Sequence, residues 1–525
     1  MASGMYWADE IAKKIISSGK YTPYKVDDMK TPSGFAHIGS LRGPLIHSVI
    51  FRALKDAGVN VKFTFVFNDF DTADEMPSEF KDRLSNYLGC PLNKIPSPVD
   101  GFKSLADYLS NDLKKVMEEL GVEAEYLSSW KMYEEGKFDE VIKIALDNSE
   151  KIQDIYKQIS GSDKKELGWL PFQVVCEKCG KLGTTRVFDW DGKDVSYKCE
   201  QNLVKWAKGC GYEGKISPFG GTGKLPWKVD WPAHWKVMGV TIEGAGKDHA
   251  SKGGSYDIAM ELCDKVFSFP KPFKLPYEFI LIGGKKMSSS KGIGFKAHDI
   301  TKILPPKLSR FLFTRTKYKE QVNFDPVNSM AIPDLFDEYD KSWKAYINSD
   351  NENLSRSFEL AQIKTIPDKK DLFIPRFRDV ANYIQQPNVK LQSKFEEIKG
   401  HKLSQEEEEI LKEREKYAKV WLDTYASKDF QITLLEELPN EASKLSAKQK
   451  EFLNNLSDLI EKADSAEQLQ TDLFELTKKI NIPSLEAFSS IYLSLIGKER
   501  GPRAAWFLLS LPKDKVIKRL QEASK

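Results

Sequence analysis

The sequence VKFTFVFNDFD, at residues 61–71, is an apolar and β-rich run that ends in a cluster of polar side chains. A strand inside a parallel sheet is apolar along its whole length because both of its faces are buried, and polar side chains follow where the strand ends. Residues 43–58 before it carry apolar side chains at helical spacing. The order of these elements predicts an α/β fold in which a parallel sheet is built with right-handed crossovers.

The character of the chain changes twice after this first domain. Residues 91–225 hold helical segments and then a part rich in cysteine, glycine and lysine, which predicts an insertion between two halves of the sheet domain. Beyond residue 332 helix signals dominate, including capping boxes that begin at Ser404 and Ser446. The predicted domains are residues 1–90 and 226–283 for the two halves of the sheet domain, 91–225 for the insertion, 284–331 for a mobile loop and its surroundings, and 332–525 for an all-α domain.

The composition excludes several classes of protein. The chain has 525 residues, which suggests three or four domains at roughly 150 residues per domain. Its 79 lysines and arginines nearly balance 77 acidic residues, which excludes a histone-like protein but still allows a basic face that binds nucleic acid. There is no apolar run of about 18 residues and no signal-peptide pattern at residues 1–21, so we expect a cytoplasmic protein with no membrane partner. Six cysteines are too few for a disulfide framework.

The sequence TPSGFAHIGS at residues 31–40 suits the binding of a nucleotide. Its proline and glycines predict a tight turn before a helix, and the free N–H groups of such a turn can bind a triphosphate. His37 can donate a hydrogen bond to a phosphoryl oxygen, and Gly39 lets a purine ring approach the backbone. Taken alone, the same pattern also fits an ordinary glycine turn with a buried histidine.

A second motif, KKMSSSKG at residues 285–292, combines three lysines and three hydroxyls on a glycine-flanked loop. Such a loop suits a mobile clamp whose lysines neutralise charge as pyrophosphate departs. Taken alone, it also fits a solvated basic loop on the surface.

Together the two motifs resemble the signatures of the class I aminoacyl-tRNA synthetases. Further stretches resemble the class I lysyl-tRNA synthetases in particular, and the resemblance spans nearly the whole chain; these stretches are WKVDWP at 227–232, GKDHA at 246–250, GGSYD at 253–257 and GKERGPR at 497–503.

The resemblance implies both an architecture and a reaction. The sheet domain is then a Rossmann-type catalytic domain. Its insertion is a zinc-ribbon-containing domain that binds the acceptor end of tRNA. Residues 284–331 are the mobile loop and stem-contact region, and the C-terminal domain binds the anticodon. The implied enzyme activates L-lysine to lysyl-adenylate with ATP and Mg²⁺. It then transfers lysine to the 3′ end of tRNA(Lys), which releases AMP after pyrophosphate.

The resemblance also assigns residues to roles. The catalytic residues are His37, Gly39, Lys286, Ser288, Ser289 and Lys291. The ATP-binding residues are Pro32, Gly34, His37, Gly39, Asp248, His249, Lys286 and Met287. The residues expected near the amino acid are Thr31, Ser33, Trp227 and Trp231, with Asp69, Asp71, Asp230 and Glu243 as candidate carboxylates. Each tryptophan also fits plain core packing, and Asp248 with His249 also fits a hydrogen-bonded pair at a strand end.

One departure from the family pattern concerns the lysine ε-ammonium. Many members carry an acid after the arginine that follows the His-x-Gly turn, whereas Arg42 is followed here by Gly43. A buried ammonium without a counter-charge costs several kcal/mol, so another carboxylate must serve. Asp69 is the leading prediction because it directly follows the apolar strand, and Asp71 lies on the same face if the strand continues. A structural role for Asp69, as the cap of the next segment, is the alternative.

Four cysteines predict a metal site. Cys176 and Cys179 form a two-residue knuckle, and a 19-residue gap to Cys199 fits a zinc ribbon. Ten residues separate Cys199 from Cys210 where two are usual, so we expect residues 201–208 to loop out. Four thiolates leave no open position, which predicts a structural Zn²⁺ rather than a catalytic one. A vestigial knuckle without metal is the alternative.

Two other functions stay open from the sequence. One is a class I synthetase for a different amino acid, which the missing acid after Arg42 favours. The other is a non-catalytic RNA-binding or regulatory paralogue, against which the presence of both motifs counts. We expect the leading enzyme to act as a monomer whose partners are tRNA(Lys), L-lysine and ATP.

Overall fold

The computed structural model of the protein describes residues 5–161, 168–286, 294–386, 389–430, 432 and 434–525. Within these residues the chain divides into two compact units. The first unit comprises the chain up to residue 325 together with residues 341–369, and the second comprises residues 326–340 and 370–525.

The strands of the described residues belong to four sheets. They are β1 Tyr24–Lys30, β2 Val61–Phe67, β3 Glu125–Ser128, β4 Gln173–Val174, β5 Thr185–Trp190, β6 Val195–Cys199, β7 Glu213–Ile216, β8 Gly223–Lys224, β9 Ile242–Gly246, β10 Phe273–Tyr277, β11 Ile280–Ile282, β12 Lys285–Lys286 and β13 Val322–Asn323.

The main sheet has five parallel strands in the order β10-β9-β1-β2-β3. The predicted strand at residues 61–67 is β2, and its last five side chains are buried, which is why it is apolar. Because the chain moves from β1 to β2 on one side and returns to β9 on the other, the strand order reverses between β1 and β9. In open α/β sheets this switch point, at the carboxyl ends of the strands, is where ligands bind.

Helices cover the main sheet and fill the rest of the first unit. They are α1 Trp7–Ser18, α2 Arg42–Asp56, α3 Lys81–Leu84, α4 Leu105–Glu119, α5 Ser129–Glu134, α6 Asp139–Asp147, α7 Ser149–Ser160, α8 Trp227–Met238, α9 Lys247–Ala250, α10 Ser255–Lys265, α11 Ile300–Ile303 and α12 Pro306–Thr314, with α13 Ala331–Asn348 and α14 Glu352–Ala361 further along the chain. The prediction of a parallel α/β sheet is confirmed.

The segment between β3 and α8 packs on the main sheet. Strands β5, β6 and β7 form an antiparallel sheet, and β4 pairs with β8. Buried side chains of this segment, including Tyr197, share one apolar core with Val66 of β2 and Leu262 of α10. Burial of apolar area in this common core joins the segment to the sheet domain.

Arginine side chains attach residues 341–369 to the first unit. The Arg310 side chain is fully buried, and its Nε donates to the Leu360 carbonyl at 2.6 Å. Arg356 donates to both carboxylate oxygens of Asp9, at 3.0 and 3.1 Å. The sequence predicts one boundary, at residue 332, and does not predict that residues 341–369 rejoin the first unit. The contacts that attach them join residues 50 and 347 positions apart, and such contacts leave no local pattern in the sequence.

The second unit is helical in the part that the structure describes. Its helices after α14 are α15 Phe377–Tyr383, α16 Leu391–Lys399, α17 Gln405–Val420, α18 Ala447–Lys462, α19 Ala466–Ile480, α20 Ser484–Ile496, α21 Ala504–Ser510 and α22 Lys513–Ala523. The predicted capping boxes at Ser404 and Ser446 are both formed, at the starts of α17 and α18. Helices α18 to α22 enclose one apolar core. None of the described helices combines the length and the apolar character that a membrane span needs.

Candidate active site

The turn at residues 31–40 leads from β1 into α2. His37 pairs with Lys296 in an antiparallel bridge, in which the Ile38 N–H donates to the Phe295 carbonyl at 2.9 Å. The turn therefore lies at the carboxyl end of the central strand and is fixed there by a segment more than 250 residues away in sequence.

The other predicted site residues of this turn lie on either side of His37 in sequence. Pro32 is buried and Ser33 is exposed, while Gly34 and Gly39 are half-buried. Gly39 lies in a short 3-10 helix, Ile38–Leu41, that runs directly into α2.

The residues on both sides of the lysine-rich motif lie close to the turn at residues 31–40. Lys286 ends β12, which pairs with β11, and β11 contacts the 3-10 helix Ile38–Leu41. On the other side, Lys296 is the residue that pairs with His37. The structure thus brings the flanks of the two motifs together. The predicted residues Met287, Ser288, Ser289 and Lys291 lie outside the described residues, as does the side chain of Lys286.

Asp248 and His249 lie on α9, which starts directly after β9 ends. Both residues are exposed at the carboxyl edge of the main sheet. The His249 ring lies 5.8 Å from the Trp227 ring and 5.9 Å from the Trp231 ring, and the two indoles are themselves stacked at 5.0 Å. The predicted nucleotide and amino-acid residues of α8 and α9 are therefore neighbours.

Glu243 is buried beneath these rings, and both of its carboxylate oxygens accept hydrogen bonds. Trp231 donates to Oε1 at 2.8 Å, and Trp235 donates to Oε2. Asp27 of β1 is its register partner and is equally buried. Burial and then the facing Asp27 carboxylate raise the pKa of Glu243 well above its usual range. Glu243 thus belongs to a buried carboxyl pair under the tryptophans.

Thr31 and Asp71, predicted from separate stretches, meet at the ends of β1 and β2. The Thr31 hydroxyl donates to Asp71 Oδ2 at 3.1 Å. A buried ammonium that the sequence analysis missed, that of Lys224, lies 3.7 Å from Asp71 Oδ1 and 3.1 Å from Asn68 Oδ1. Burial lowers the pKa of Lys224, the carboxylates of Asp230 and Asp71 raise it, and the net shift is upward, so the ammonium stays charged.

Asp230 is the main counter-charge of this lysine. Its Oδ2 lies 3.1 Å from Lys224 Nζ, and the Tyr133 hydroxyl donates to its Oδ1. Asp230 is fully buried. Its charge is therefore already neutralised inside the protein.

Asp69 holds neighbouring elements together. Ser128 Oγ donates to its Oδ2 at 2.6 Å, and the Trp130 N–H donates to its Oδ1 at 2.8 Å. The carboxylate therefore joins the end of β2 to the first turn of α5. Burial raises the pKa of Asp69, the two hydrogen bonds lower it, and the net shift is upward. These contacts are structural, but they reach α5, 61 positions along the chain at Trp130, and not the next segment that the alternative names.

The four cysteine sulfurs converge, as the sequence predicts. All four Sγ atoms lie within 4.8 Å of one another, with 3.6 Å between Cys176 and Cys210 and 3.7 Å between Cys179 and Cys199. Tetrahedral zinc with Zn–S bonds of about 2.3 Å places sulfurs about 3.8 Å apart, so the donor set fits Zn²⁺ in both chemistry and spacing.

The long spacer between Cys199 and Cys210 does loop out. The Gly211 N–H donates to the Cys199 carbonyl at 2.8 Å, and the Gly209 N–H donates to the Glu200 carbonyl at 3.2 Å. These bonds close the ends of the insertion, so its residues do not separate the two ligands. A Cβ at Gly209 would lie 2.2 Å from the Glu200 carbonyl oxygen, which explains the glycine at this position.

The chain is similar to known proteins in both sequence and structure. The family model described as "tRNA synthetases class I (K)" matches residues 5–364. A lysine–tRNA ligase of Methanocaldococcus jannaschii is 34% identical and one of Methanosphaera stadtmanae is 31% identical, each over 98% of this chain and 99% of the relative. Among solved structures, a glutamate tRNA ligase from Elizabethkingia meningosepticum matches 95% of this chain and 99% of its own, with a TM-score of 0.46 and 13% identity.

Proposed function

The chain belongs to the class I tRNA synthetase family, and from that premise we propose that it is a lysine–tRNA ligase. It joins L-lysine to tRNA(Lys) and uses ATP as a substrate. The observation that carries this proposal is the pairing of His37 with Lys296, because it brings the flank of the lysine-rich loop to the phosphate-binding turn. Lysine-dependent exchange of pyrophosphate into ATP tests the proposal.

The first step is activation of the amino acid. A lysine carboxylate oxygen attacks the α-phosphorus of Mg-ATP in line, the bond to the leaving pyrophosphate breaks, and lysyl-adenylate forms. We place the triphosphate at the turn that holds His37, whose ring and neighbouring N–H groups can donate to phosphoryl oxygens. Lys286 and Lys291 are proposed to neutralise charge on the departing pyrophosphate. No covalent bond to the protein is needed, since positioning and charge stabilisation supply the catalysis.

The second step transfers lysine to tRNA. A hydroxyl of the terminal adenosine attacks the lysyl carbonyl carbon and AMP leaves. Asp248 and His249 are proposed to hold the adenylate, because they are exposed at the carboxyl end of β9 beside the half-buried Trp227. Trp227 would then form one wall of the amino-acid pocket.

We propose that the four cysteines hold a structural Zn²⁺. Cys176, Cys179, Cys199 and Cys210 supply four thiolates, so the ion has no open position for catalysis. When bound, it would cross-link the end of β6 and the loop at Cys210 to the knuckle at residues 176–179. The zinc-bearing sheet, proposed to meet the acceptor end of tRNA, would depend on this cross-link for its shape.

A groove in the second unit is proposed to receive a base of the anticodon. It encloses about 340 Å³ and is lined by Trp421, Phe430, Arg378, Lys498 and Arg500 among others. The buried indole N–H of Trp421 has no hydrogen-bond partner among the described residues. A splayed base can stack on an aromatic ring, accept from such a donor and place its phosphate beside an arginine.

Phe430→Ala tests this groove. The ring is 39% exposed, so its removal should leave the fold intact. Stacking of one base contributes about 1–3 kcal/mol, and we therefore expect the Kd for tRNA(Lys) to rise about tenfold. Titration of labelled tRNA measures the change, and exchange activity at saturating tRNA should stay unchanged.

Phe474→Ala is the matched control. This ring is 43% exposed in the same unit but lies outside the groove. Equal tRNA affinity in the two variants would show that the groove does not bind tRNA.

A further inference from the structure

Gly43 stands where many family members carry an acid that is one candidate partner for the ε-ammonium of lysine. Asp28, which the sequence analysis passed over, is a buried carboxylate beside this position. Asp28 belongs to β1, the central strand, two residues before the strand ends. It is 6% exposed and lies beside the switch point between β1 and β9. Its neighbour Asp27 points to the opposite face of the sheet by period-two alternation.

Gly43 shows that Asp28 occupies the space of the missing acid. Gly43 lies in the first turn of α2, directly after Arg42. A Cβ at Gly43 would lie 2.8 Å from Asp28 Oδ2 and 2.7 Å from the Tyr277 hydroxyl. A side chain at this position and the Asp28 carboxylate therefore compete for one volume. In this chain the Asp28 carboxylate, which belongs to the strand, fills that volume.

The Asp28 carboxylate has an open acceptor. Oδ1 accepts from the Met29 N–H at 2.9 Å, but Oδ2 is buried and has no hydrogen-bond partner among the residues that the structure describes. Among the described residues, no lysine or arginine nitrogen lies within 4.0 Å of it, and Lys30 attracts it only from farther away. A buried carboxylate that lacks a cation is costly, so a bound cation would stabilise it.

The nearest ring, that of His47, does not supply this cation. Its Nδ1 lies 3.5 Å from Asp28 Oδ2. The Gly244 N–H donates to His47 Nε2 at 2.7 Å, so Nε2 carries no proton. The single proton is then on Nδ1, which donates to the Gly43 carbonyl at 2.8 Å. These two hydrogen bonds leave the ring neutral, with its one N–H already used. Burial lowers the pKa of His47, the Asp28 carboxylate raises it, and the net shift is upward.

Three other carboxylates around the site are engaged by groups of the protein. Glu243 accepts from two indoles, Asp230 faces the Lys224 ammonium, and Asp69 accepts from Ser128 and Trp130. Asp230 and Asp27 also have a buried Oδ2 without a hydrogen-bond partner among the described residues. Asp230 Oδ2 nevertheless lies 3.1 Å from the Lys224 ammonium, and burial raises the pKa of Asp27 well above its usual range. Asp28 Oδ2 has neither a donor nor a lysine or arginine nitrogen beside it in the part of the chain that the structure describes.

We propose that Asp28 is the residue that selects lysine, by binding its ε-ammonium at Oδ2 beside the Tyr277 hydroxyl. The inference rests on the proposed ligase function and names the residue that gives it its amino-acid specificity. An ammonium has three N–H donors, and a carboxylate and a phenol hydroxyl together accept two of them. Uncharged amino acids of similar length would leave the Asp28 charge buried and unpaired, so they are rejected.

Asp28→Asn tests the assignment in lysine-dependent pyrophosphate exchange. Loss of the buried charge pair should raise the KM for lysine about 100-fold or more, while the KM for ATP changes little. The preference for lysine over norleucine, which has the same chain without the ammonium, should largely disappear. Asp340→Asn is the matched control, because it removes a carboxylate that pairs with Arg414 in the second unit, and it should leave the KM for lysine unchanged.

A double variant separates charge recognition from a structural role. Gly43→Glu alone should fail, since the new side chain meets Asp28 Oδ2. Combined with Asp28→Ala, the new Cβ no longer meets Oδ2, and only the Tyr277 hydroxyl, 2.7 Å from it, has to shift. The glutamate should then recover most of the lysine affinity that Asp28→Ala alone loses. Recovery by an acid placed on another element is not expected if Asp28 only maintains the fold.

The outcomes distinguish this inference from the proposed function. If the wild-type protein activates lysine and Asp28→Asn keeps its KM for lysine within about threefold, the assignment of Asp28 is wrong and the ligase function stands. If the wild-type protein activates a different amino acid or none, the proposed function fails, and this inference fails with it.

Discussion

His37→Ala is expected to lower the rate of lysyl-adenylate formation by a factor of about 10² to 10³. The reason is that a donor aimed at charge developing in the transition state contributes about 2–4 kcal/mol there and little in the ground state. Lys286→Ala should have an effect of the same size, since the proposed role of this lysine is to stabilise the departing pyrophosphate. The affinity for lysine should change little in either variant.

Pyrophosphate exchange gives the rate, and calorimetric titration gives the affinity for lysine. His401→Ala is a suitable control, because His401 is exposed in the second unit and takes no part in the site. Near-native exchange in a variant that lacks both His37 and Lys286 would contradict the roles proposed for the two motifs.

Cys176→Ser is expected to abolish the proposed zinc binding and to unfold the sheet of β5, β6 and β7. One set of four thiolates predicts about one Zn²⁺ per chain, and a site that loses one ligand of four loses most of its affinity. Structural zinc sites contribute about 10 kcal/mol or more, which is comparable with the whole stability of a domain. Elemental analysis and thermal unfolding measure the two effects.

Cys90→Ser provides the comparison for this variant. Cys90 is a buried cysteine that does not belong to the cluster, so its replacement should leave the zinc content unchanged. Absence of zinc from wild-type protein prepared under reducing conditions without chelators would show that the cysteines do not form a zinc site.

Much of the fold follows from local sequence signals. The strand at residues 61–67 has the predicted limits because burial of both faces requires an apolar residue at nearly every position. The capping boxes at Ser404 and Ser446 formed because their hydrogen bonds connect residues only three positions apart. The cysteine cluster was also visible, since its residue types admit few other uses.

The features of the site that the sequence did not predict depend on contacts between residues that are far apart in the chain. Asp28 and its neighbour Asp27 are acids inside a buried strand, which contradicts the apolar pattern that identifies such strands. Lys224 gave no signal either, because a buried lysine depends on carboxylates supplied by other elements. The Asp69 carboxylate accepts from Ser128, which is 59 residues away in sequence, so the sequence around Asp69 does not show this contact. In each case the decisive partner is brought near by the fold alone.

The central claim, that this chain activates L-lysine, is tested most directly by pyrophosphate exchange with a panel of the amino acids. The assay is run with the full chain, Mg-ATP and each amino acid in turn, in the presence and absence of tRNA. The account predicts exchange that depends on L-lysine and is far weaker with every other amino acid. Stronger exchange with any other amino acid, or no exchange with lysine even when tRNA is present, would contradict it.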